Sequence, residues 1–251
     1  MQKYLIYLQY QGLGYCGSQK QNKNLEPKQK TIQEELEKVL STLKKQNIST
    51  IFSGRTDAGV SAYSQCAHFV SDEIEDLDKF QYSMNSLLPD DIAVLKIVPV
   101  PDDFHAQMSA KYRHYQYKIK MSNVKPIFDS CCFYTRQKLN IERLNNMLSY
   151  LVGEHDFSAF KSHSENPATI CTLYKASAEQ KEDYIYIDII GNRFLYNMVR
   201  TIVGTLLMIE KKNLETNTML EILNSKDRTK AGMTADPIGL ALVEVGYENY
   251  K

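Results

Sequence analysis

With 251 residues the chain has room for one large domain or two modest ones. Its 43% hydrophobic and 24% charged residues match an ordinary globular mix, which excludes a disordered tail protein or a coiled coil. Thirty Lys plus Arg offset thirty Asp plus Glu, so no overall positive field marks a nucleic-acid partner. No stretch approaches the roughly 18 apolar residues that span a bilayer, and no basic start leads into an apolar signal core, so a cytoplasmic protein without a membrane partner is expected.

The first predicted element is a strand over Lys3 to Tyr10, rich in Tyr, Leu and Ile and ended by Gly12, Gly14 and Gly17. A polar loop with four lysines follows. Thr31 and Glu34 have capping-box spacing, and Ile32, Leu36 and Leu40 repeat at helical spacing, which predicts a helix over 32–44. A short strand over Ser49 to Phe52 feeds Ser53-Gly54-Arg55-Thr56-Asp57-Ala58-Gly59-Val60, a turn with two glycines and a carboxylate close to an arginine. A strand over Gln65 to Val70, a helix over Asp78 to Leu87 and a strand over Ile92 to Val98 complete a β-α-β-β-α-β pattern.

Lys111 to Lys120 alternates, with Arg113, Tyr115, Tyr117 and Ile119 on one face and Tyr112, His114, Gln116 and Lys118 on the other. Asn140 is placed to cap a helix with the apolar stripe Ile141, Leu144, Leu148 and Leu151. Strands over Cys171 to Glu179 and Tyr184 to Ile190 follow. Residues 194–210 are apolar around most of a helix's circumference and predict deep burial. Two halves are expected, 1–105 and 106–251.

Charge is segregated rather than absent. Residues 104–128 hold Lys111, Arg113, Lys118, Lys120 and Lys125 without an acid, while Asp72, Glu73, Glu75, Asp76 and Asp78 crowd one segment. The five cysteines lack knuckle or framework spacing and read as buried thiols. The histidines form no HExxH or mixed cluster, so no metal is expected.

Arg200 is the anomaly of the apolar helix. A desolvated guanidinium without a partner costs several kcal/mol, so an anion should meet it. Asp57 on its glycine-flanked turn is the candidate, although an Asp in such a turn also serves as an Asx-turn former.

Several blocks in order carry a resemblance. Tyr10-Gln11-Gly12 with Tyr15, Gly17, Gln19 and Gln21 is similar to YDGxxFxGxQxQ, and Gly54 to Ala62 to GRTDAGVHA. Asn85 to Ile92, Phe104-His105-Ala106, Tyr115-Gln116-Tyr117, His155 to Phe160, Phe194 to Leu206 and Gly239 to Tyr247 follow in the same order. Over nearly its whole length the chain resembles the tRNA pseudouridine synthase A family.

The resemblance implies an α+β fold of two ferredoxin-like halves with mixed or antiparallel sheets flanking a central RNA-binding cleft. It implies an isomerase that detaches uridine at N1, turns it and rejoins it through C5, with no cofactor. In that reading Asp57 is the nucleophile, Arg200 its guanidinium partner, Tyr115 stacks on the target uracil, and Arg55 holds the nucleotide out of its helix. The implied partners are the tRNA anticodon arm at positions 38 to 40 and a second copy of the chain. Gln11, Ser61, Cys171 and Asp236 depart from the family pattern at positions expected to line or support the RNA surface, which leaves open another RNA target such as ribosomal RNA. A non-catalytic RNA-binding protein of the same fold is the rival reading. An aspartate-dependent phosphotransferase or hydrolase finds no GxxxxGK loop to support it.

Overall fold

A computed structural model describes residues 1–20, 30–163 and 167–248 of the chain. Most of the four-lysine loop and Gln21 of the opening motif therefore lie outside the described residues. Two compact units form, one from Met1–Lys111 with residues 241–248, the other from Tyr112–Leu240.

The first unit runs β1 (Gln2–Tyr10), α1 (Ile32–Lys44), β2 (Ile51–Phe52), β3 (Ser61–Ser71), α2 (Leu77–Leu87) and β4 (Ile92–Val100), and its sheet order β4-β1-β3-β2 is the ferredoxin-like arrangement. All these pairs are antiparallel. Thr31 caps α1 as its spacing predicts: its side chain accepts from the Glu34 backbone N–H, and the Glu34 carboxylate reaches back to the Thr31 N–H. The same helix buries Ile32, Leu36, Val39 and Leu40. Opposing them, β1 is central and buries Tyr4, Leu5, Ile6 and Leu8, so it reads as an almost continuous apolar run.

Strand β3 starts at Ser61, four residues before its predicted start at Gln65. Its first residues carry no apolar alternation, yet Ala62 pairs with both Tyr10 and Leu242, so tertiary partners define the strand there. The predicted strand from Ser49 is reduced to Ile51–Phe52.

In the second unit β5 (Tyr112–Met121), β6 (Phe133–Thr135), α3 (Ile141–Ser149), β7 (Gly153–Asp156), β8 (Ile170–Lys181), β9 (Tyr184–Gly191), α4 (Met198–Lys212) and α5 (Thr218–Ser225) follow. Their antiparallel order is β5-β9-β8-β7, and β6 lies parallel to β5. Asn140 caps α3 through its side-chain oxygen, which accepts from the Glu142 and Arg143 N–H groups. Helix α4 begins at Met198 rather than near residue 194, because Asn197 adopts a left-handed φ of 61° and breaks the apolar run. The last strand, β10 (Leu240–Gly246), runs parallel to β3 in the first unit, through Ala241–Ser61 and Leu242–Ala62. Cys66, Cys132 and Cys171 are buried thiols, while Cys16 and Cys131 are partly exposed. Among the described residues no helix is long and apolar enough to cross a membrane.

Candidate active site

In the first unit the loop from Ser53 to Val60 joins β2 to β3, and it alternates between anchors and presented side chains. Ser53, Thr56 and Val60 are buried, whereas Arg55 and Ala58 are exposed and Asp57 is partly exposed. The anchors are hydrogen-bonded on every side. Ser53 N–H donates to the Cys66 carbonyl at 2.8 Å, and its hydroxyl donates to Gln65 Oε1 at 2.6 Å. The Gln65 amide, itself fully buried, donates to the Gly54 carbonyl at 3.2 Å. Thr56 shares a 2.8 Å hydrogen bond with the Tyr10 phenol, donates its N–H to Ser18 Oγ at 2.9 Å and accepts the Ser18 N–H at 3.1 Å. Burial pushes the Tyr10 phenol up to about 12, despite hydrogen bonds from Thr56, Gln65 and Ser18 that work the other way, so it stays protonated at neutral pH.

The two motifs that stand 40 residues apart in sequence meet here. A Cβ on Gly12 would lie 2.1 Å from the Val60 carbonyl oxygen, and one on Gly17 would lie 2.6 Å from the Thr56 carbonyl oxygen. Gly17 also has a φ of +98°, which L side chains rarely adopt. Tyr15 adds its carbonyl, which accepts the Gly59 N–H at 3.3 Å, and its phenol donates to Asp91 at 2.6 Å. Asp57 therefore sits between two backbone contacts that only glycine permits. The Val60 N–H closes the turn on the Asp57 carbonyl at 3.1 Å.

Two of the four departures from the family pattern are buried and two are exposed. Ser61 accepts the Gly12 N–H on its hydroxyl at 3.1 Å, so it ties the two motifs together. Cys171 is buried in β8, where burial raises its thiol to about 11. Gln11 and Asp236 are exposed, and the Asp236 carboxylate accepts the Ile238 N–H in the 3-10 turn Pro237–Gly239.

The second unit carries Tyr115 and Arg200. Tyr115 is partly exposed on β5, with its ring edge-to-face on Phe194 at 5.1 Å and 83°. Its neighbour on that face, Arg113, donates to the Asn192 carbonyl at 2.9 Å. Further along the same face Tyr117 and Ile119 are fully buried, and the Tyr117 phenol donates to the Asp236 carbonyl at 2.8 Å. Burial holds that phenol far above its ordinary range, with the Arg200 charge pulling in the opposite direction.

Arg200 is partly exposed, not deeply buried as its apolar helix predicts, because it lies in the first turn of α4 where the chain opens. Its Nε donates to the Ala235 carbonyl at 2.8 Å and its Nη1 to Asn197 Oδ1 at 2.9 Å. Neutral oxygens thus take two of its nitrogens. The left-handed turn at Asn197 serves this contact, since it brings that side chain back over the helix start, where its amide also donates to Ser162 Oγ at 3.0 Å. Ala235 returns its N–H to the Arg200 carbonyl at 3.1 Å. A Cβ on Gly204 would fall 1.7 Å from the Met233 carbonyl oxygen, so the segment holding Arg200 is seated directly on the helix backbone. Sequence alone marks none of Ser18, Gln65, Asn197 or Ala235 as positioning residues; Asn197 had only its place in an otherwise apolar run as a signal.

His114, Gln116 and Lys118 occupy the other face of β5. His114 and Gln116 both bind Asp188, at 2.7 and 2.9 Å, and Lys118 binds Asp129 at 2.6 Å. Cations of the basic run on this face therefore have partners within their own unit. Among the described residues no three His, Cys, Asp or Glu side chains gather as a metal site.

Residues 6–108 and 147–248 match the family described as tRNA pseudouridine synthase. The chain is 41% identical over 249 residues to tRNA pseudouridine synthase A of Thermoanaerobacter sp. (strain X514), covering 98% of this chain and all of that protein. It is 36% identical over 252 residues to tRNA pseudouridine synthase A of Francisella tularensis subsp. holarctica (strain OSU18), covering all of this chain and 96% of that one. It is also similar, at 8% identity and a TM-score of 0.40, to a chain of the crystal structure titled "Crystal Structure of a Cbf5-Nop10-Gar1 Complex", covering 95% of this chain and 57% of that chain. With a match to both halves and relatives aligned end to end, the chain belongs to the tRNA pseudouridine synthase family.

Proposed function

We propose that this chain isomerises uridine to pseudouridine in tRNA, with the Asp57 carboxylate as its nucleophile. The reaction breaks the N1–C1′ bond and forms a C5–C1′ bond; the C5 hydrogen leaves as a proton and N1 gains one, so the balance requires neither redox cofactor nor group donor. The carboxylate oxygen bonds transiently to an electron-poor carbon of the nucleotide, and attack at the sugar or at the base leaves the same balance.

The observation that carries this reading is the presentation of Asp57. Thr56 before it and Val60 three residues after it are buried and bonded, while Asp57 itself remains partly open between them. Preorganisation of that kind is what a nucleophile needs and what a surface Asx turn does not. Arg55 projects from the same loop and is exposed, suited to hold an extruded nucleotide. In this reading Tyr115, with its ring braced by Phe194, stacks on uracil, and Arg200, with its guanidinium fixed by the Ala235 and Asn197 oxygens, is the second catalytic residue.

The substrate uridines in this reading lie in the tRNA anticodon arm, the protein works in the cytoplasm, and two copies share one RNA. A dimer lets a chain of zero formal charge assemble a wide basic surface from two segregated stripes. The test compares carbodiimide-dependent primer-extension stops in RNA from cells with and without the gene, alongside purified wild type and Asp57→Asn on tRNA transcripts. Stops that vanish without the gene, and a variant that binds tRNA with near-normal affinity but does not turn over, are expected. Identical stops in both strains together with inert purified protein would replace the enzyme by an RNA-binding protein.

A further inference from the structure

Asn197 stands at the start of α4 with φ 61° and ψ 6°, and its side chain makes no cap to the helix backbone. Left-handed backbone is common where a helix ends or a hairpin turns: Lys45, Asn213 and Lys226 end helices, and Glu182 turns the β8–β9 hairpin. Among the described non-glycine residues with positive φ, Asn197 alone begins a helix. Asn140 shows what the same residue type does conventionally, since from a φ of −95° its oxygen accepts two N–H groups in the first turn of α3. Asn197 forgoes that stabilisation. A sparsely populated backbone that also gives up a cap persists where another contact requires it.

That contact is with the side chain three residues on. Asn197 Oδ1, which as a cap would take the backbone N–H at this position, takes Arg200 Nη1 at 2.9 Å instead. A guanidinium only donates, so the amide oxygen must face it and the amide NH2 must face away, where it donates to Ser162 Oγ at 3.0 Å. Ser162 also donates its N–H to the Tyr196 carbonyl at 3.0 Å. It follows directly on a buried anchor, since Phe157, Ala159 and Phe160 are fully buried and the Lys161 N–H donates to the Ser158 carbonyl at 3.2 Å. At the other end of the segment, Phe194 lies edge-to-face on Tyr115 at 5.1 Å and over Gly191, where a Cβ would be 3.4 Å from its ring. The stretch from Phe194 to Asn197 therefore holds both the tyrosine and the arginine of the proposed site, and Ser162 pins its arginine end twice.

We infer that Asn197 and Ser162 are positioning residues for the reaction: Asn197 aims the Arg200 guanidinium, and Ser162 sets Asn197. The inference rests on the part given to Arg200 in the proposed function, and its test separates the two. Single-turnover pseudouridine formation, tRNA affinity and Tm are measured for wild type, Asn197→Gly, Ser162→Ala, their double variant and Arg200→Ala. Glycine adopts the left-handed turn freely and costs little as a helix cap, so Asn197→Gly removes the amide and leaves the helix start in place. Its rate should fall about ten-fold or more, with tRNA affinity within about two-fold of wild type and Tm within about 3 °C, the split expected of a group that acts on the reacting geometry alone. Ser162→Ala should lose roughly three-fold, and the double variant should be no slower than Asn197→Gly, because Ser162 acts through Asn197. Wild-type turnover in Asn197→Gly with Arg200→Ala inactive overturns this inference and leaves the proposed function standing; full turnover in Arg200→Ala removes Arg200 from the proposed function and the inference with it. A slower rate that comes with a lowered Tm or weakened tRNA binding overturns the inference in favour of a structural role for Asn197, and losses that multiply in the double variant overturn the part given to Ser162.

Discussion

Replacing Gly17 by Ala tests how the Asp57 loop is held. The φ of +98° at Gly17 costs an L residue about 1–2 kcal/mol. The new Cβ would start 2.6 Å from the Thr56 carbonyl oxygen, so reaching ordinary contact requires a separation larger by about 0.8 Å. That oxygen accepts the Ser18 N–H, and Thr56 is also tied to the Tyr10 phenol, so the strain passes into the residue directly before Asp57. Misplacement by about 1 Å costs on the order of 100-fold in rate when a reacting group must be aimed. A total loss of about 2–3 kcal/mol in a chain of this size corresponds to a fall in Tm of roughly 5–10 °C. Gly14→Ala is the matched control, since Gly14 has nearly the same φ, +93°, but open space around its Cβ position. Single-turnover pseudouridine formation, followed by nucleoside chromatography after RNA digestion, should fall 10- to 100-fold for Gly17→Ala and less than two-fold for Gly14→Ala, with Tm lowered in both. Equal turnover in the two variants would refute the clamp and reduce Gly17 to a turn former.

The second unit gives the companion prediction. Gly204→Ala puts a Cβ 1.7 Å from the Met233 carbonyl oxygen, and the only relief is to lift the segment that holds Arg200 through Ala235; urea denaturation should show a loss of at least ~3 kcal/mol, with turnover falling as Arg200 is released. A third prediction concerns acid. Burial, with smaller contributions from His105 and Lys3, lowers buried His68 to about 4, and its neutral Nδ1 accepts the Ala106 N–H at 3.1 Å. The unfolded chain binds this proton near pH 6.5 and the folded chain only near 4, so the contribution is complete above pH 6.5 and is lost as pH falls from there toward 4, with a slope of at most about 1.4 kcal/mol per pH unit. His68→Asn, whose amide oxygen can accept the same N–H without titrating, should flatten the urea stability profile in that window; an unchanged profile would remove His68 as its source.

Local signals were legible where local chemistry decides. The Thr31–Glu34 box and the Asn140 cap locate α1 and α3 because side chain and backbone within four residues satisfy each other. They failed where a partner elsewhere decides. Strand β3 starts at Ser61 because Ala62 finds partners in β1 and β10, and α4 starts late because Asn197 turns left-handed toward Arg200 and Ser162. Strand β7, Gly-Glu-His-Asp, carries no apolar period at all and is defined by its ladder to β8. At the site, the charged and aromatic candidates could be picked out in the sequence, but the Gln65 and Ser18 side chains that fix the loop read as ordinary polar residues until burial makes each of their hydrogen bonds obligatory.

Both units solve the problem of aiming a side chain in one way. Next to Asp57, Gly12 and Gly17 let backbone meet backbone at Val60 and Thr56; next to Arg200, Gly204 and Gly232 do so at Met233 and at Gly204 itself; and on the strand of Tyr115, Gly239 does so at Lys118, where a Cβ would be 2.9 Å from the carbonyl oxygen. A contact between two main chains has no rotamers to lose and few ways to relax, so it fixes a neighbouring side chain more tightly than a side-chain bond of equal strength. It follows that the glycines of these motifs set the geometry, while the polar residues around them set the charge. Substitutions at Ser18 or Gln65 should therefore leave buried partners unsatisfied with the path of the main chain kept, whereas substitutions at Gly12, Gly17 or Gly204 should displace the main chain itself.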